Sequence, residues 1–302
     1  MKSFCAIFAV CIAAASAALP NLIDLAKQNN CSTLVSLIQQ AGLTDVLSNQ
    51  GPFTLLAPVD AAFAKLPADV VKGLTADTNA LTGVLQYHVI KESIFTWDLQ
   101  QGEVIPSLND HSIRVYVGRT SNSIYFNQAK VIVSELQASN GVLYLIDEVL
   151  NVPEGTIDDI ILNPDYDISG FMDFIKEARL TQTFNRTSGQ RYTMFVPSNE
   201  ALANADQNLM SSIKNSYSRA RYLVDYHVHA GTLHAKSLSK DARLSTLYRG
   251  HYISVSHDTS NMTLLNNVAK INIADIEAED GVVHIISHVL IPSTLASGGI
   301  VG

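Results

Sequence analysis

Histidine is the residue type in this chain best equipped for chemistry: there are nine, and seven of them follow Ser169. His227 and His229 alternate as neighbours on a strand do, and His284 and His288 stand four positions apart, so each pair can share a face. Two such pairs meeting in space would make a zinc site, and an open coordination position would make that site hydrolytic. The rest of such machinery is missing from the sequence. No His-Glu-x-x-His helix, Gly-x-Ser-x-Gly elbow or phosphate-binding glycine loop occurs. Cys31 has no flanking signature of an activated thiolate. No catalytic residue, metal ligand or cofactor is therefore assigned. A small-ligand or metal-binding protein, or a metal-dependent hydrolase built on the second-half histidines, remains the alternative reading.

The elements that would position such residues must come from 302 residues, 47% of them hydrophobic and 16% charged. That is ample apolar material for globular cores, and it excludes a disordered or fibrous chain. Twenty Lys and Arg stand against 28 Asp and Glu, a formal charge of −8, which argues against a broad nucleic-acid-binding surface. Lys2, an apolar run from Phe4 to Ala15, and Ala15-Ser16-Ala17 form a secretory signal peptide cut after Ala17. Its removal takes Cys5 and Cys11 with it. Cys31 is left without an internal partner, placed for burial in a helix or for pairing between chains. No later run reaches transmembrane length, and the apolar tail is too short for a lipid-anchor signal. The expectation is a secreted, extracellular protein without a transmembrane or lipid anchor.

The organisation follows from a repeat. Phe53-Thr54-Leu55-Leu56-Ala57-Pro58-Val59-Asp60 returns as Tyr192-Thr193-Met194-Phe195-Val196-Pro197-Ser198-Asn199, and Tyr87-His88-Val89 returns as Tyr226-His227-Val228, both 139 positions on. Asn140-Gly141-Val142-Leu143 returns as Asp280-Gly281-Val282-Val283 at an offset of 140, and 32–47 matches 169–184. Four ordered blocks at nearly one offset mean two whole domains, not a short-period solenoid. The expected boundaries are a signal peptide over 1–17, domain one over 18–152, domain two over 153–292, and a tail over 293–302. Pro153 and Gly155 mark a short linker.

Within a copy, Leu34, Leu37, Ile38 and Ala41 make one helix face, matched by Phe171, Phe174, Ile175 and Ala178. The apolar run from Phe53 to Ala57 predicts a strand that Pro58 ends. Asp60 and Asn199 sit where an N-cap belongs. A helix is expected from Thr78 to Gln86. Period-two stretches follow, among them Ile113, Val115 and Val117, with Gly141 and Gly281 in a tight turn before the last strand. Helices first and antiparallel strands after them predict a β-rich α+β module.

These blocks resemble the fasciclin-like domain family over nearly the whole chain after the signal peptide. The segments at 53–60 and 192–199 look like its first signature, the Tyr-His pairs like its central motif, and 140–150 and 280–290 like its second signature. The resemblance implies tandem domains, each a β-sandwich or wedge with flanking helices. It also implies non-enzymatic cell adhesion or matrix interaction. In some members the Tyr-His region and an Asp-Ile pair are associated with integrin recognition. Carried over, the candidates are Tyr87, His88, Tyr226 and His227, with Asp275 and Ile276 in the second copy and Glu135 and Leu136 in the first. The competing reading makes them core residues, because tyrosine buries a ring with a polar handle and histidine ties two backbone segments together.

The function expected is therefore a secreted cell-adhesion or extracellular-matrix-binding protein acting through protein-protein contacts. Its partner would be a matrix protein or a cell-surface receptor, integrin among them, with self-association also open and no nucleic acid. A structural matrix component is a further alternative. Asn30, Asn185 and Asn261 head N-glycosylation sequons.

Overall fold

A computed structural model describes residues 18–117, 123–181, 190–238 and 241–296. The segment expected to be a signal peptide, 1–17, and Asn185 lie outside the described residues. Each repeat folds around one seven-stranded sheet. In the first repeat the strands are β1 (Phe53–Pro58), β2 (Val89–Ile90), β3 (Val104–Pro106), β4 (Ser112–Val117), β5 (Ile124–Phe126), β6 (Ala129–Ala138) and β7 (Gly141–Ile146). In the second they are β8 (Tyr192–Pro197), β9 (Val228–Ala230), β10 (Arg243–Ser245), β11 (Tyr252–His257), β12 (Thr263–Leu265), β13 (Ala269–Ala278) and β14 (Gly281–Ile286). The orders β2-β1-β7-β6-β5-β4-β3 and β9-β8-β14-β13-β12-β11-β10 are the same sheet built twice.

The sheets are mixed, which corrects the antiparallel expectation. β1 runs parallel to β7, with Leu55 opposite Leu143, and β8 runs parallel to β14. Both central strands are covered on both faces, so every residue of β1 is buried and the sequence shows a continuous apolar run, not an alternation. Leu55, Ala57, Leu143 and Leu145 point into a core shared with the helices. Leu56, Val142, Tyr144 and Ile146 point into a second core enclosed by the curled remainder of the sheet. Domain two repeats this division, and each of the four core clusters draws its buried residues from one repeat. The result is a pair of wedges, each a sheet with helices on one side. Pro58 ends β1, as expected. It is the strand's last residue, paired with Ile146, and needs no N–H of its own there.

Two other local expectations are corrected. Asp60 does not cap its own helix, Asp60–Phe63, whose N-cap position is Val59. Its carboxylate accepts from the Thr33 amide at 2.7 Å and the Ser32 hydroxyl at 2.8 Å, capping the neighbouring helix Ser32–Gln40. In domain two the helix Asn199–Asn204 is capped by Ser198, and Asn199 accepts from the Gly170 amide. The glycines expected before the last strands are instead the first residues of β7 and β14, and closeness to the neighbouring strand requires them. A Cβ on Gly141 would lie 1.9 Å from the Phe53 carbonyl oxygen, and one on Gly281 would lie 2.1 Å from that of Tyr192.

Among the described residues, no helix is long and apolar enough to cross a membrane. Cys31 is buried, and burial, with Asp60 nearby, pushes its thiol up to about 12.

Candidate functional site

The duplicated Tyr-His motifs end the helices Thr78–Tyr87 and Tyr217–Tyr226, where the chain turns into β2 and β9. Tyr87 is fully buried. Its hydroxyl donates to the Ser112 carbonyl at 2.8 Å and accepts from Asn127 at 2.7 Å, and burial raises its pKa. Tyr226 makes the same pair of contacts with Tyr252 and Asn266. His88 and His227 are buried with both ring nitrogens engaged. Nδ1 of His88 donates to the Val84 carbonyl at 2.8 Å, and Nε2 accepts from the Leu150 amide at 2.9 Å. His227 joins the Leu223 carbonyl to the Leu290 amide in the same way. The accepting Nε2 fixes the neutral tautomer, and burial holds both rings down at about 4. Each Tyr-His pair thus ties a helix end to the sheet and to the last segment of its own domain.

The acid-apolar pairs occupy β-bulges in β6 and β13, where the register against β7 and β14 shifts. Glu135 and Asp275 take the left-handed conformation, with φ of 61° and 59°. From there the Glu135 carboxylate accepts from the amide and hydroxyl of Thr96, and Asp275 accepts from the Ala235 amide at 2.8 Å. Both carboxylates anchor the loop that follows β2 or β9. Ile276 is buried in the helix-side core of domain two, and Leu136 packs against the matching core of domain one. The second signature also has a positioning task. The Asn140 side chain accepts from the Leu22 amide and Asp280 accepts from the Ile157 amide, holding the first helix of each domain against the sheet.

The second-half histidines are tied down separately. His284 is buried, with Nε2 donating to the Leu233 carbonyl at 2.8 Å and Nδ1 accepting from the Asp275 amide. His229 reaches the Ser245 carbonyl, and exposed His288 pairs with the Ser287 hydroxyl. Among the described residues no group of three or more His, Cys, Asp and Glu side chains is arranged to hold a metal ion. Asn30 and Asn261 are both exposed, as glycosylation would require.

A buried polar constellation joins the two domains. Arg114, on β4, is 2% exposed and reaches from domain one into domain two. Its guanidinium donates to the Glu277 carboxylate at 2.9 Å and to the Ala278 carbonyl at 2.6 Å. His234 holds the other Glu277 oxygen at 2.5 Å, with the Tyr116 ring edge-on to its imidazole. Tyr116 also hydrogen-bonds Thr232, and His111 meets Glu279 at 2.5 Å. At the rim, Lys236 bridges Glu148 at 2.6 Å and Asp147 at 3.2 Å. The linker joins in through the Glu154 amide, which donates to the Glu277 carbonyl. A buried pair of this kind is held in place because removing either partner strands a charge away from water. Sequence reasoning missed this junction. Its one visible trace is that Arg114 and Glu277 have uncharged counterparts, Ser254 and Gln137, in the opposite repeat.

The fasciclin domain model matches residues 29–153 and again 166–292, so the chain belongs to the fasciclin domain family. Human periostin is 29% identical over 256 residues, covering 83% of this chain and 30% of periostin. The pig transforming growth factor-beta-induced protein ig-h3 is 32% identical over 271 residues, covering 90% of this chain and 38% of that protein. The chain thus spans little more than a third of these relatives at most. Among solved structures, a FAS1 domain pair from the insect cell adhesion molecule Fasciclin I aligns with 89% of this chain and 99% of its own, at 20% identity and a TM-score of 0.44.

Proposed function

We propose that this chain is a secreted, non-enzymatic adhesion or extracellular-matrix-binding protein that acts through protein-protein contacts. Membership of the fasciclin domain family supports the class. The observation that carries the reading is how the polar side chains are used. The duplicated motifs are consumed in holding the two wedges, and the buried polar cluster around Arg114 and Glu277 is consumed in joining them. Large side chains such as Trp97, 72% exposed, are left to face other molecules. In this reading Tyr87, His88, Tyr226, His227, Glu135, Leu136, Asp275 and Ile276 shape the domains and their loops, and a partner touches neighbouring surface instead. Two domains held by a buried junction present their surfaces to a partner at a fixed spacing, which raises avidity without new contacts.

The test is attachment. The secreted chain, immobilised, is offered purified matrix proteins and integrin-bearing cells. Saturable capture of one of them, retained when surface lysines are mutated and lost on thermal unfolding, supports the reading. Failure to capture any of them refutes it.

A further inference from the structure

The internal repeat allows one domain to be laid on the other residue by residue, because the same hydrogen bonds recur. The Thr96 amide bonds Glu135 as the Ala235 amide bonds Asp275, so Phe95 corresponds to His234 and Trp97 to Lys236. Gln137 faces Val142 in register as Glu277 faces Val282, so Gln137, Ala138 and Ser139 correspond to Glu277, Ala278 and Glu279. In domain two this loop and strand end form the surface on which domain one docks, through Arg114, Tyr116, Asp147 and Glu148.

In domain one the corresponding surface is an open groove of about 480 Å³. Ser93, Phe95, Gln137, Ala138 and Ser139 line it. Trp97 is 72% exposed and stacks on Phe95 with ring centroids 4.6 Å apart and planes 4° from parallel. An exposed, stacked aromatic pair beside a strand end is the composition of an interface anchor. Gln137 in place of Glu277 removes the carboxylate that receives Arg114 in domain two, so this groove selects stacking and hydrogen bonding over an ion pair.

The complementary face also has a counterpart. The Arg114 amide bonds Asn127 as the Ser254 amide bonds Asn266, which places Ser254 at the Arg114 position. Arg243 pairs directly across from Ser254 on β10, where domain one has Val104. Its guanidinium lies 4.8 Å from the ring centre of Tyr252, itself 46% exposed. The β10–β11 face therefore offers one cation and one aromatic ring. Across from it, the domain-one loop offers two aromatic rings with the exposed acids Glu92 and Asp98 beside them.

We propose that the chain associates with a second copy of itself head to tail, the β10–β11 face of one copy docking in the domain-one groove of the next. The contact repeats between molecules the arrangement that joins the domains within one. Arg243 and Tyr252 replace Arg114 and Tyr116, and stacking on Phe95 and Trp97 replaces the buried ion pair. Such an interface is heterologous: every copy keeps one unused groove and one unused face, so assembly continues into chains or closes into a ring. It names a partner that the adhesion reading leaves open and does not depend on that reading.

Sedimentation velocity on the full secreted chain over a concentration series tests this. The wild-type protein is expected to form dimers and longer species as concentration rises. Trp97→Glu and Arg243→Glu, each on an exposed side chain, are each expected to push association to concentrations about tenfold or more higher, a penalty of about 1.4 kcal/mol. Circular dichroism melts confirm that both variants stay folded. Mixing the two supplies one intact groove and one intact face, so a 1:1 dimer that grows no further is expected to return. A wild-type chain that stays monomeric throughout overturns the proposal. So do variants that associate like wild type, or a mixture that fails to restore the dimer.

Discussion

Acid should loosen both domains through one residue in each. His88 and His227 are neutral in the fold because Nε2 accepts a backbone amide and Nδ1 donates to a carbonyl. A second proton on Nε2 would displace the Leu150 or Leu290 amide and bury a cation. Burial holds both rings at about 4, against an ordinary value of 6.5. The unfolded chain therefore binds more protons, and stability falls as the pH drops below about 6.5, levelling off only near 4. Between pH 7 and 5 the loss comes to about 2 kcal/mol for each histidine, at about 1.4 kcal/mol per pH unit. For domains of this size that is a fall of roughly 6 to 10 °C in Tm. Asp158 works the other way, because burial, with Asp280 and Asp159 nearby, raises its carboxyl to about 6. The wild-type curve alone mixes the two effects. Chemical denaturation of wild type and of a His88→Gln/His227→Gln variant at both pH values separates them. The variant should be the less stable at pH 7, and its deficit should shrink by about 4 kcal/mol at pH 5. A deficit that stays constant across this range refutes the burial argument.

Other outcomes follow from single contacts. Gly141→Ala would drive a Cβ into the Phe53 carbonyl and part β1 from β7, so a loss of about 4 kcal/mol or failure to fold is expected. Gly73→Ala, in a helix with open space at the Cβ, should gain about 0.5–1 kcal/mol in the same denaturation assay. Arg114→Ala strands the Glu277 carboxylate at the junction, costs about 3–5 kcal/mol, and should split one calorimetric transition into two. Ile276→Ala should destabilise domain two by about 2–5 kcal/mol, with any loss of partner capture tracking the loss of folded protein. Capture lost at full stability would make Ile276 a contact residue.

The doubled architecture is legible in the sequence because both copies spend the same residue types on the same backbone nodes. Tyr87 and His88 must reach specific carbonyls and amides, so their spacing from the first strand survives at an offset of 139. Parallel pairing of β1 with β7 left no such trace. A strand buried on both faces reads as an unbroken apolar run whichever way its neighbour points. Asp60 misleads for a related reason. A carboxylate before a helix looks like that helix's cap, but the Thr33 amide that Asp60 accepts from belongs to a helix start 27 positions earlier, brought close only by the fold. The role of Glu135 and Asp275 is equally hidden, since it depends on a bulge that turns the residue out of register.

The junction is where the two copies had to diverge. Identical domains stacked head to tail would carry Arg114 and Glu277 on both, leaving an unmatched arginine at one end of the pair and an unmatched carboxylate at the other. The desolvation a buried charge suffers is offset only when its partner is present, so each charge is useful on one copy alone. The sequence follows that logic: Arg114 faces Ser254 across the repeat, and Glu277 faces Gln137. His88 and His227, which each tie backbone within a single domain, have no such reason to differ and do not. At the buried contact between the domains, a charge difference between equivalent residues therefore marks the surface on which the copies meet. The same comparison picks out Trp97 against Lys236 and Arg243 against Val104, on the two surfaces proposed to dock between copies.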